Sequence, residues 1–264
     1  MRVFAFIFIL CAAAAAVGYG FDRHEGDVEK GEELARFSGG FVYFTQTVGY
    51  RPDLSGLSPG FRVTAEAAFP YDSLLRVVYT RWSSEKSVRY VVPIFNVERE
   101  IKTDNLLSDL DVLLEKNFRF GKRGVLVPFV GFERYIESSR VTVNEAVAVS
   151  NAFIAHGVLG GFRGEYLLFK SVSTFLSSSV SCLETGYQRH FDMDLHFREK
   201  GMLPRAKVAL GSSVSFPVGR SMKTLRIEGG YETQFRWYKD LNGAIDWNNP
   251  LALQGFSGAI LLNF

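Results

Sequence analysis

After residue 20 the hydrophobic and polar positions alternate with a period of two. Residues 224–238 show it best. Leu225, Ile227, Gly229, Tyr231, Thr233, Phe235 and Trp237 share one face, and Arg226, Glu228, Gly230, Glu232, Gln234 and Arg236 share the other. The segments 60–69, 108–118, 206–216 and 256–264 repeat the pattern. The best helical candidate, 146–162, holds Ser150, Asn151, His156 and several glycines, all poor helix formers. The chain is therefore expected to be all-β.

Strand length narrows the class. The alternating segments run to roughly 10–15 residues, against about 5–6 in a soluble sandwich. Membrane-crossing strands need about 9–11 residues. Ten strands are predicted, at 38–48, 60–69, 74–84, 106–119, 125–136, 151–163, 168–183, 204–216, 223–238 and 250–264. Val88 to Phe95 and Arg189 to Phe197 leave a twelve-stranded alternative.

The links between strands alternate as well. Tight links are expected at 70–73, 121–124, 163–165 and 217–221, and longer polar loops at about 50–59, 85–105, 137–150, 186–203 and 239–250. That is the organisation of a transmembrane antiparallel up-and-down β-barrel, with periplasmic turns and extracellular loops. Tyr79, Trp82, Phe69, Phe118, Phe216, Tyr135, Trp237 and Tyr238 fall near strand ends, where the aromatic girdles of such a barrel belong. The chain ends in an apolar strand face, Phe256, Ile260, Leu262 and Phe264. This resembles the C-terminal signal that outer-membrane proteins present to their assembly machinery.

The first residues are of another kind. Arg2 followed by the apolar run Val3 to Val17, with Ala16 and Gly18 at the small-residue positions of a cleavage site, reads as a signal peptide over 1–18. Residues 21–36 are polar and acidic, and 19–37 are expected to be a periplasmic lead-in to a barrel over 38–264. The address implied is the bacterial outer membrane, with the lipid bilayer and lipopolysaccharide as surroundings.

Composition excludes more than it adds. A net charge of +2 argues against a nucleic-acid partner. Two cysteines, one of them in the signal, make no disulfide framework. No cofactor is implied.

With the apolar faces turned to lipid, the polar faces line the interior. They carry Arg62, Glu66, Arg76, Asp109, Asp111, Glu115, Glu133, Lys207, Arg226, Glu228, Glu232 and Arg236. Such groups must be paired or wet. Two outcomes follow: a small polar pore lined by these charges, or a lumen plugged by salt bridges. A ten-stranded barrel is close to the size that side chains fill.

Several short motifs add a resemblance. They are Pro59-Gly60-Phe61-Arg62-Val63, Phe69-Pro70, the strand Leu75 to Trp82, Ser108-Asp109-Leu110-Asp111-Val112-Leu113, Pro128-Phe129-Val130-Gly131-Phe132-Glu133, and the terminal Phe256 to Phe264. In this order they resemble the Legionella-type major outer membrane protein family, which is also found in chlamydia-like bacteria. The resemblance implies a pore-forming outer-membrane barrel with porin-like activity. The alternative is a closed structural or surface-interaction barrel whose outer loops do the work.

Two candidates for other chemistry remain. Alternation puts His190, Asp192, Asp194 and His196 on one face, as for a divalent-ion site. Successive ligands on a strand face lie about 6.6 Å apart, too wide for all four to share one ion. His156 beside the serine-rich 171–181 suggests a hydrolase pair, but there is no nucleophile elbow, and small residues packing in a crowded lumen explain the serines. No catalysis is expected.

Overall fold

The computed structural model describes residues 35–48, 56–69, 73–92, 97–143, 146–191, 196–218, 224–237, 245, 247 and 250–263. The expected signal peptide, most of the lead-in and Phe264 lie outside them. The strands are β1 Ala35–Val48, β2 Ser58–Phe69, β3 Ser73–Val92, β4 Val97–Lys116, β5 Phe118–Phe120, β6 Gly124–Val143, β7 Ala146–Leu167, β8 Val172–Phe191, β9 His196–Pro217, β10 Thr224–Arg236 and β11 Leu251–Asn263. β5 is the tail of β4. Glu115↔Phe129 and Phe118↔Leu126 lie on one register along β6. The gap falls beside Pro128, which has no N–H to give the ladder.

The result is a barrel of ten long strands. Each pairs antiparallel with its chain neighbour, and β1 closes on β11 from Arg36↔Asn263 to Val48↔Leu251. Closure removes the sheet edges. Both described ends of the chain lie at the end of the barrel that carries the short turns.

Several boundaries differ from the expectation. β1 begins at Ala35, three residues before the predicted 38. Arg163-Gly164-Glu165 is strand, not turn. β7 continues to Leu167, and the turn lies at 168–171, where the Leu168 N–H donates to the Val172 carbonyl at 2.9 Å. Most of the predicted loops at 85–105, 137–150 and 186–203 belong to the hairpins β3–β4, β6–β7 and β8–β9. The described parts of Val88 to Phe95 and Arg189 to Phe197, namely Val88–Val92, Arg189–Phe191 and His196–Phe197, are therefore hairpin arms, and the described residues form ten long strands rather than twelve.

The cause is physical. Beyond a bilayer the outward face need not be apolar, so alternation loses contrast there. Along β3 the outward positions become Arg81, Ser83, Glu85 and Ser87, all exposed. β7 has 22 residues, about 70 Å of strand at 3.3 Å per residue, far more than a membrane requires. The three hairpins project well past one end of the apolar belt.

That belt is unambiguous. Along β7 the outward residues Ile154, Val158, Phe162 and Tyr166 are 46%, 68%, 42% and 49% exposed. Phe41, Phe132, Leu176, Val180, Leu210, Ile227, Phe256 and Ile260 continue it around the wall. Large side chains on the inner wall need space, and glycines on neighbouring strands give it. A Cβ on Gly211 would stand 2.6 Å from the Phe175 ring, and one on Gly161 2.8 Å from that of Phe129.

Candidate functional site: the barrel interior

All twelve charged residues singled out by alternation face inward, and they divide into two tiers. The first lies toward the projecting hairpins. Arg205 of β9 reaches across the lumen to Asp109 of β4 (3.2 Å) and to Glu133 of β6, and donates to Gln234 Oε1 at 2.8 Å. Lys207 Nζ lies 2.8, 2.9 and 3.0 Å from Asp109, Asp111 and Glu133. Arg62 of β2 grips Glu232 of β10 with two bonds of 2.7 and 3.0 Å, and its Nε donates to Thr80. Gln234 Nε2 joins the two groups by donating to Glu232 at 2.7 Å. Arg236 pairs with Glu137 at 2.5 Å and donates to the Tyr135 hydroxyl, which donates to Glu137 at 2.6 Å.

Around the Arg236–Glu137 pair, and above the rest of this network, the interior turns apolar. Val42, Phe44, Trp82, Leu107, Tyr135, Phe153, Ala155, Leu183, Leu203 and Leu253 form one buried cluster, none more than 8% exposed. They come from eight of the ten long strands and point into the lumen. Side chains buried to this degree leave little room for water among them at this level. Arg205 and Arg236 stack against the Tyr135 ring, 4.3 and 5.2 Å from its centroid, and fasten the charged layer to the apolar one. The indole N–H of Trp82 is held by the carbonyls of Ser58 (2.9 Å) and Phe44 (3.2 Å). Trp82 and Tyr135 are thus corrections to the predicted girdle. Their strand parity is that of Thr80 and Glu133, so they point inward. Tyr79, Phe118 and Phe216 have the outward parity the girdle expects, while Phe69 and Tyr238 have no described side chain.

The second tier lies toward the short turns and encloses a cavity of about 480 Å³. This cavity runs from Asp109, Asp111 and Lys207 down to Arg36, Asn117, Arg119 and Thr224 at the turn end. Arg163 lies 2.6 Å from Glu228, and Arg226 lies 2.8 Å from both Glu165 and Glu228. These four side chains keep 14–23% exposure. Against the wall, Arg76 bridges Glu66 (2.7 Å) and Glu115 (3.1 Å), and Arg36 stands 3.7 Å from Glu66.

Sequence reasoning missed Arg36, Arg119, Arg163, Arg205, Glu137 and Glu165. Adding them turns the predicted five cations and seven carboxylates into nine and nine. Parity had the signal for three of them. Arg205 is two residues from Lys207, Glu137 is four from Glu133, and Arg163 lies eight from inward Ala155.

The candidates for other chemistry fare differently. Asp109, Asp111 and Glu133 can bring one oxygen each within 4.8 Å of one another, a possible cation nest. Lys207 Nζ already touches all three, so an ammonium stands where an ion would. Asp192 and Asp194 lie outside the described residues. His190 and His196 are register partners on two strands, β8 and β9, rather than sharing one strand as the predicted metal face required. His156 points outward and is exposed, in register with Glu184. Ser173, Ser177, Ser179 and Ser181 have the opposite, inward parity, which separates them from His156 by the barrel wall.

A closed antiparallel barrel, apolar outside and polar within, defines the class: a membrane-type β-barrel. No protein-family model matches the chain, and no curated protein matches it. Among solved structures, it is similar to the outer membrane protease OmpT from Escherichia coli at 9% identity, over 90% of this chain and 98% of that one, with a TM-score of 0.48. It is similar to the translocator domain of autotransporter NalP from Neisseria meningitidis at 12% identity, over 100% and 97%, with a TM-score of 0.45. A major outer membrane protein from Thermus thermophilus is similar at 15% identity, over 86% and 99%, with a TM-score of 0.37. At such scores the likenesses carry no weight for what the chain does, and the barrel stands on its own strand pairing.

Proposed function

We infer that the protein is an integral outer-membrane barrel whose lumen is closed at rest, and that it acts through its projecting hairpins as a structural or surface-interaction protein. The observation that supports this reading is the buried apolar layer across the lumen, with Phe44, Leu183 and Leu253 at 0% exposure. The outer-membrane address rests on the exposed apolar belt around a closed wall. The bilayer and lipopolysaccharide are then its surroundings, and Phe256, Ile260, Leu262 and Phe264 its signal to the assembly machinery. Phe256 and Ile260 stand outward on β11, about half exposed, where a partner can read them.

The porin-like reading, with the Legionella-type resemblance behind it, keeps one observation in its favour: the wet, charge-lined cavity on the turn side. In that reading the twelve charges line a path for small polar solutes, and the apolar layer is a gate. Planar-bilayer recording of refolded protein, with folding verified by heat-modifiable mobility, separates the two. Silent bilayers support the closed barrel; regular conductance steps from the wild type sink it. Deleting Phe264 should lower the yield of folded protein in the outer-membrane fraction.

A further inference from the structure

The rim at the short-turn end carries a feature that neither a sealed lumen nor a pore uses. Two of its turns, Gly121–Arg123 and residues 168–171, are neighbours on the wall, tied by the Leu167 N–H donating to the Arg123 carbonyl at 2.8 Å. Around them stand four exposed cations, Lys116, Lys122, Arg123 and Lys170. None pairs with a carboxylate among the described residues, whereas the interior cations are held by carboxylates. Arg119 has inward parity and faces the lumen mouth, so it belongs to the cavity. Interleaved with the four cations are exposed aromatics: Phe118 at 45% exposure, Phe120 at 60% and Phe169 at 72%. Lys116 Nζ lies 5.8 Å over the Phe118 ring.

We propose that this sector of the rim, from β4 to the start of β8, is a binding site for the anionic headgroups of phospholipids in the turn-side leaflet. Aromatic rings place themselves at the headgroup boundary, and ammonium and guanidinium groups beside them meet phosphate there. Four unpaired cations attract a negatively charged headgroup over a zwitterionic one, and salt weakens the attraction. Gly121, with φ +60°, lets the chain reverse tightly and carries Lys122 and Arg123 at its tip. The proposal rests on the membrane reading above, and its test separates the two.

Phe120→Trp places a reporter on the rim, with Phe169→Trp as a second one should the first fold poorly. The refolded full chain is put into vesicles containing either brominated phosphatidylglycerol or brominated phosphatidylethanolamine, and the wild-type tryptophan signal is subtracted. At low salt the reporter should favour phosphatidylglycerol by about threefold or more. The preference should vanish at high salt and in the K122S/R123S/K170S variant, whose heat-modifiable mobility is expected to be unchanged. Equal quenching by the two lipids, or the same preference in the triple variant, overturns the site while leaving the membrane reading intact. No quenching by either lipid removes the rim from the bilayer and overturns both.

Discussion

The two halves of the barrel interior carry nearly the same residue types and behave as different materials. Toward the hairpins, Arg205, Asp109 and Glu133 are 0–4% exposed and lie beneath a buried apolar layer. Toward the turns, Arg163, Arg226, Glu165 and Glu228 border a cavity and keep 14–23% exposure. The arrangement in sequence is similar: cations on β7, β9 and β10 reaching carboxylates on facing strands. What differs is the company. Phe44, Trp82, Leu183, Leu203 and Leu253 exclude water from one half, and the glycines and serines of β8 to β11 leave room for it in the other. An ion pair in the first half is worth what its absence would cost. In the second, water takes over much of each partner's burden.

The sharpest break is therefore Arg205→Ala. It leaves Asp109 and Glu133, 4% and 1% exposed, with Lys207 alone, and strips Gln234 of a donor. The loss should be about 3–5 kcal/mol, read as a fall in the denaturant midpoint of the refolded barrel. A change no larger than that of a rim substitution would mean the layer is wet after all.

The apolar layer itself is next. Leu203→Ala or Leu253→Ala should cost about 2–4 kcal/mol each through lost burial and the void left behind. Combined with Trp82→Ala, they should turn a silent barrel into one that gives conductance steps. If the triple variant folds and stays silent, the seal is the charged network below rather than the apolar layer.

On the wet side Arg226→Ala should cost about 1 kcal/mol, and less as salt rises. Glu228 keeps Arg163 at 2.6 Å, and Glu165 keeps the Ser173 hydroxyl at 2.7 Å. The salt dependence carries the comparison, because the Arg205→Ala loss should be nearly insensitive to salt.

Alternation was enough to read the barrel, its ten strands and the inward direction of all twelve charges. Period two is imposed wherever one face of a strand meets lipid, and β7 and β10 keep it through the bilayer. It failed in three places, each for its own reason. The hairpin ends were read as loops because outside lipid nothing requires residues such as Ser83 and Glu85 to be apolar. The inner apolar layer went unseen because inward Phe44, Leu107, Phe153 and Leu203 look the same in sequence as outward apolar residues. Only parity distinguishes them, counted from an inward charge such as Glu137 for Phe153's partner strand or Arg205 for Leu203. Trp82 and Tyr135 were misplaced in the girdle by the same neglect of parity. Arg163 and Glu165 were lost because a glycine between two polar residues was taken for a turn, whereas Gly164 sits in register with Leu176, three residues before β7 ends.

The smallest effect tests how finely the wet half is divided. Glu66 is 5% exposed and has two cations, Arg76 at 2.7 Å and Arg36 at 3.7 Å. Arg36 is 38% exposed at the lumen mouth, so its attraction to Glu66 is screened by water and costs side-chain entropy to hold. Arg36→Ala should lower stability by less than about 0.5 kcal/mol. Arg76→Ala in the same corner should cost several times more, because Glu66 and the fully buried Glu115 then lose their shared cation. Measured side by side by chemical denaturation, the two substitutions place the boundary between wet and dry inside a single cluster. Equal losses from both would mean that water does not reach the mouth as far as Arg36, and that the two halves of the interior are less unlike than their exposures indicate.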